Sequence, residues 1–221
     1  MKCALSMSAL LLCLCSLSPG QAPAPTTRTA YVNDFENAEV GKVPEDMLVV
    51  AGQFAVRKEG GSAFLELSGA PVNSFGVLWG PEDTADAFCG ARILATRTGK
   101  RFPEFGIGLA GASGYRLWLM PAVSELQLLQ NDDVMAAIPY TWTSGTWTML
   151  RLQLRKVADG KWKLEGKAWQ QGQPEPAGWM ISLDETEAPG NGRASLWGTP
   201  YSETPIRFDD IIVGQPPQAA R

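Results

Sequence analysis

Carboxylates are the only side chains in this chain that suit proton transfer or the holding of a cation. Its 221 residues include no histidine, which removes Ser-His-Asp and Cys-His relays. Cys3, Cys13 and Cys15 lie at the extreme N-terminus and leave Cys89 alone in the remainder, so a zinc site lacks the ligands it needs. Cys89 sits between Phe88 and Gly90 in a strand-like run and reads as a buried, inert thiol. No glycine-rich phosphate loop precedes a helix. What remains is carboxylate chemistry or binding.

The densest acidic feature is Ile206-Arg207-Phe208-Asp209-Asp210-Ile211-Ile212-Val213. In an extended strand alternate side chains take opposite faces. Ile206, Phe208, Asp210 and Ile212 then share one face, and Arg207, Asp209, Ile211 and Val213 the other. A buried carboxylate must be neutralised, hydrogen-bonded or bound to a cation. Asn33-Asp34-Phe35-Glu36 repeats the mixture of acid and aromatic near the other end. If first and last strands are neighbours, Asp34, Glu36, Asp209 and Asp210 meet and offer hard oxygen ligands to a structural Ca²⁺. The alternative is that Asp209 pairs with Arg207 or water, while Asp210 accepts backbone N–H groups at a sheet edge. Glu66 and Glu125 are lone acids and read as solvent-facing charge.

Aromatic residues offer a second kind of site. Sugar binders stack pyranose rings on exposed Trp or Tyr beside polar groups that hydrogen-bond hydroxyls. With Tyr115, Leu117 and Leu119 facing a core, Arg116 and Trp118 face away, beside Glu104, Gln127, Arg151 and Gln153. Gly106 and Gly108 on the adjoining strand then leave room for a ligand. The competing arrangement has Trp118 covered by a loop or by Met120. Trp162 and Trp197 read as core, and Trp142 and Trp179 as loop residues of either kind.

These side chains are positioned by strands. From Gly145 to Trp169, Leu150, Leu152 and Leu154 alternate with Met149, Arg151, Gln153 and Arg155. After the turn Ala158-Asp159-Gly160, Trp162, Leu164 and Ala168 alternate with Lys163, Glu165 and Lys167. This is a β-hairpin with one apolar face, which needs a second layer to cover it. Similar short stretches run from Tyr31 to Val213, separated by turns such as Gly60-Gly61 and Asn131-Asp132-Asp133. Residues 170–184 read as a loop carrying Trp179. No apolar i, i+3, i+4, i+7 pattern persists with caps. The expectation is an all-β, two-sheet antiparallel sandwich over residues 31–214.

Flanking segments read differently. Lys2 and the apolar run Ala9–Leu17 predict a signal peptide over residues 1–22, cleaved after Gly20 or Ala22. Residues 23–30 read as a disordered leader and 215–221 as a polar tail. Cys13 and Cys15 raise lipid anchoring, but each follows Leu where such signals favour Gly, Ala or Ser. The expected location is therefore periplasmic or extracellular. Formal charge is −4, from 19 Lys+Arg against 23 Asp+Glu, with no basic patch for nucleic acid and no long apolar run beyond the leader.

The chain resembles the concanavalin A-like lectin/glucanase superfamily, specifically the laminin-G-like jelly rolls of exported bacterial proteins. The resemblance rests on Asp34-Phe35-Glu36, Gly106–Leu119 with Gly114-Tyr115-Arg116-Leu117, and Trp147–Leu154. It continues in Lys167-Ala168-Trp169 with Pro176 and Trp179, and in Phe208-Asp209-Asp210-Ile211. It spans Tyr31–Gly214 and implies two curved antiparallel sheets, with sugar commonly bound on the concave face or at rim loops. The glucanase branch uses Glu-x-Asp-x-x-Glu on one strand, and this sequence has no such motif. The resemblance therefore implies a non-catalytic module for polysaccharide or glycoconjugate. Two other readings stay open: a carboxylate hydrolase, since some related jelly rolls act on oxidised disaccharides, and an envelope interaction module.

Overall fold

Alternating hydrophobicity along nearly the whole chain becomes strand after strand. The computed structural model describes residues 28–216 except 71, 72, 83–85 and 188, and these contain no helix. The stretch expected to be a signal peptide, most of the expected leader and residues 217–221 lie outside the described residues. The first strands are β1 (Arg28–Asn33), β2 (Leu48–Ala51), β3 (Phe54–Glu59), β4 (Ser62–Leu67), β5 (Phe75–Trp79) and β6 (Ala87–Leu94). A meander follows, of β7 (Glu104–Leu109), β8 (Tyr115–Met120), β9 (Glu125–Gln130) and β10 (Asp133–Pro139). The long hairpin is β11 (Thr148–Ala158) with β12 (Lys161–Gln170), before β13 (Ile181–Glu185), β14 (Ala194–Thr199) and β15 (Ile206–Gln215).

Two antiparallel sheets result. The first runs β13-β12-β11-β6-β15-β4-β3, with β1 also paired to β15; the second runs β10-β9-β8-β7-β14-β5-β2. Leu150, Leu152, Leu154 and Leu164 of the first sheet and Ile107, Leu117, Leu119 and Leu196 of the second are fully or almost fully buried in one shared core. Each such side chain contributes roughly 1.5–3 kcal/mol of burial free energy. The expected two-sheet sandwich is the fold observed.

Three local expectations change. Arg28 pairs with Gln215 and Thr29 with Gly214, so β1 begins inside the stretch read as a leader and β15 enters the polar tail. Residues 181–184, read as the end of a loop, lie in β13, where Ile181 and Leu183 pair with Gly166 and Leu164. The third change lies in β15. Its partner on one edge changes from β4 (at 206–208) to β1 (at 211–215), and its register with β6 slips between Asp209 and Ile212. Asp210 takes a left-handed conformation, φ 47°, which Asp tolerates better than most residues. This bulge switches the inward face from Ile206 and Phe208 to Ile211 and Val213. Simple alternation therefore fails in β15.

Candidate functional site

Away from the core, the first sheet presents Phe88, Gly90 and Arg92 from β6, and Met149, Arg151 and Gln153 from β11. Two adjoining cavities, of about 250 and 370 Å³, open on this face and share Arg151 and Ile212. Trp147, Trp169, Gln171, Arg92 and Asp210 line one end. Trp179, Glu175, Lys167 and Gln153 line the other. All three tryptophans are partly exposed. The result is a continuous groove with aromatic sides and polar groups at intervals.

Most charges in this groove are already matched. Arg92 Nη2 donates to Asp209 Oδ2 at 2.5 Å, and its Nε lies 3.0 Å from Asp210 Oδ2. The same guanidinium stacks on Trp147, 4.7 Å from the ring centroid. The β15 bulge makes this fork possible by turning adjacent aspartates toward one cation. Asp209 also accepts the Asp210 N–H at 2.7 Å. Burial pushes the Asp209 carboxyl above its ordinary value, against the pull of Arg92. At the other end Lys167 Nζ pairs with Glu175 at 2.9 Å, donates to the Pro176 carbonyl at 2.9 Å, and lies 4.9 Å over Trp179. Glu165 accepts from Gln153 at 2.6 Å and from Arg155 at 2.8 Å.

The second sheet's outer face holds four of the six residues expected at a sugar site, but packed together rather than open. Cross-strand register sets Gly76, Trp197, Gly106, Trp118 and Gln127 in one row across five strands. A Cβ on Gly76 would lie 2.5 Å from the Trp197 ring, and one on Gly106 2.8 Å from the Trp118 ring. Gly106 thus makes room for an indole, and Gly108 for Ser195 and Arg116, rather than for a ligand. Trp118 is only 6% exposed and packs with Trp197, Leu129 and Met120, as the covered alternative had it. Arg116 lies 4.0 Å over the Trp197 ring and donates to Asp132 and to the Ala112 carbonyl. Glu104 accepts from the Trp118 indole, and burial pushes its carboxyl up. Gln127 donates to Glu125 at 2.7 Å. Trp197, expected in the core, belongs to this outer layer. Arg151 and Gln153 lie on the other sheet, so the six residues divide between two opposite faces.

The four acids expected to share Ca²⁺ do not fit a common ion. The first and last strands do pair, yet no group of three acids suited to a metal occurs among the described residues. Asp209 and Asp210 share Arg92 instead of reaching a metal, and Arg207 goes to Glu59 and Glu66. Asp34 accepts the Glu36 N–H, and Glu36 accepts the Ala63 N–H at 2.8 Å and pairs with Lys58. Asp34-Phe35-Glu36 is a structural corner around Phe35, which is fully buried. Cys89 is also fully buried, and burial pushes its thiol up, as an inert cysteine requires.

Sequence reasoning missed Arg92, Trp147 and Trp169 as site residues and left Trp179 undecided. Trp169 shares the parity of Lys163, Glu165 and Lys167, so hairpin alternation already put it on the polar face. Arg92 and Phe88 share the parity of Gly90 opposite Arg151, a pairing visible only once β6 and β11 are neighbours.

The sequence matches no family model and no curated protein. Solved structures do match. The carbohydrate recognition domain of Emp46p has a TM-score of 0.57 at 12% identity, covering 85% of this chain and 97% of that one. The Ca²⁺-bound exoplasmic/lumenal domain of VIP36 has a TM-score of 0.56 at 10% identity, covering 86% and 90%. A Bacillus subtilis protein of unknown function with a galectin-like fold has a TM-score of 0.56 at 10% identity, covering 85% and 96%. These likenesses show the fold: the two antiparallel sheets form a concanavalin A-like jelly roll.

Proposed function

We propose that this chain is an exported carbohydrate-recognition module that holds a glycan in the groove across β6, β11 and β12. One observation carries the reading: Trp147, Trp169 and Trp179 line a continuous groove whose floor offers Arg151 and Gln153. Tryptophan faces bury the apolar side of a pyranose, while amide and guanidinium groups meet its hydroxyls. Emp46p is a carbohydrate recognition domain and VIP36 has been solved with mannose oligosaccharides, which supports glycan as the ligand class. The groove's own carboxylates favour binding over hydrolysis. Asp210 is paired with Arg92 and Glu175 with Lys167, and they line different ends. No cation enters this reading, since the acids expected to hold Ca²⁺ have other partners. Export rests on Lys2 and the apolar run Ala9–Leu17, and N-terminal sequencing of the mature protein tests it.

A glycan array followed by calorimetry tests the groove. Trp169→Ala should weaken the best glycan roughly tenfold or more, the cost of losing a central aromatic contact. Trp118→Ala should leave that affinity within about twofold while lowering stability by about 3 kcal/mol. No glycan bound, or equal affinity in Trp169→Ala, contradicts the reading.

A further inference from the structure

Arg151 sits where the two halves of the groove meet and lines both. The two other cations that line the groove have carboxylate partners, Arg92 with Asp209 and Asp210 and Lys167 with Glu175, and the neighbouring Arg155 and Lys163 pair with Glu165 and Asp184. Among the described residues, Arg151 makes no ion pair. Its stem lies across Gly90, where a Cβ would come within 2.9 Å of Arg151 Cδ, and its guanidinium stands 5.8 Å from the Phe88 ring. Glycine opposite the arginine therefore lets the cation lie low on the groove floor, with an apolar ring beside it. Gln153, the adjacent outward residue on β11, is buried and donates one amide N–H to Glu165 at 2.6 Å. The uncommitted donor fork in mid-groove belongs to Arg151.

We infer that the groove selects acidic glycans, with Arg151 receiving the carboxylate of a hexuronate residue. A guanidinium presents a planar pair of N–H donors that a carboxylate meets with both oxygens, whereas a sugar hydroxyl uses only one. The partly dry, aromatic setting strengthens such a pair relative to open water. The flanking Trp169 and Trp179 then hold the rings on either side of the charged one. This inference rests on the groove reading and narrows it to a ligand class.

The test uses paired oligosaccharides of equal length and linkage, one member made of hexuronates and the other carboxyl-reduced to the neutral hexose. Galacturonate, mannuronate and glucuronate series are titrated into the full chain by calorimetry. The acidic member of at least one pair should bind about tenfold or more tightly than its neutral counterpart, and the preference should shrink as salt rises. Arg151→Gln should abolish the preference by weakening the acidic member about tenfold more than the neutral one, and Arg151→Lys should keep part of it. Equal binding of both members, or a preference that survives Arg151→Gln, overturns the inference but spares the groove. Binding of no member of any pair overturns both. A melting curve for each variant confirms that the comparison is made on folded protein.

Discussion

Arg92 holds two neighbouring carboxylates, of which Asp209 is 1% exposed. Removing one partner of a buried pair costs more than the pair itself contributes, because the remaining charge is left without compensation. Arg92→Ala should therefore lower stability by about 2–4 kcal/mol at neutral pH, somewhat below the fully buried case since the arginine is partly exposed. The loss should narrow as pH falls, because protonation neutralises the stranded Asp209. Urea midpoints at neutral and acidic pH check this, and an equal loss at both would contradict it. Glu104 gives a second sign test. Burial raises its carboxyl above the ordinary range, so between the unfolded and folded values the folded chain binds more protons. Stability then falls as pH rises through that interval. Glu104→Gln keeps an acceptor for the Trp118 indole and should flatten this slope, with the gain appearing on the neutral side. At this scale sequence reading had the right residue types but the wrong partners. Alternation offers Asp209 a shared Ca²⁺, Arg207 or water, whereas the Asp210 bulge turns both acids to Arg92.

The second sheet's outer face depends on small residues lying beside large ones. Gly76 and Gly106 flank Trp197 across the strands, and each accepts an indole where a methyl group would collide. Gly76→Ala should destabilise by about 1–3 kcal/mol, the usual cost of overpacking, and alter the near-ultraviolet circular dichroism of the tryptophans. In combination with Trp197→Leu the cost should largely vanish, because the smaller side chain leaves the methyl its space. A double-mutant cycle showing simple additivity would contradict this packing. Strand existence was legible along most of the chain, β13 excepted, since period-two burial is written residue by residue in Leu150–Leu154 or Tyr115–Leu119. Which outward residues become neighbours was not legible. Trp118 and Trp197 are 79 residues apart in sequence, and only the β8-β7-β14 order brings them together.

For the molecule as a whole, one core between two layers supplies the stability, with Cys89 unpaired and no disulfide among the described residues. The acids expected to share Ca²⁺ are tied to Arg92, Lys58 and backbone N–H groups. Melting with and without a chelator should therefore give midpoints that agree within error, and a fall of several degrees would contradict that assignment. The two outer faces have opposite characters: one is a locked layer of indoles and arginine, the other an open groove. Both read alike in the sequence, as polar residues alternating with apolar ones. Telling them apart requires knowing that Gly106 and Gly108 are filled by neighbouring side chains while the face of β6 and β11 is left open. The most direct measurement is a two-dimensional ¹H–¹⁵N spectrum of the indole N–H groups, assigned by single Trp→Phe variants and recorded during titration with the best glycan found on the array. The signals of Trp147, Trp169 and Trp179 should shift together while those of Trp118 and Trp197 stay in place. Shifts confined to Trp118 and Trp197 would contradict the groove as the binding site.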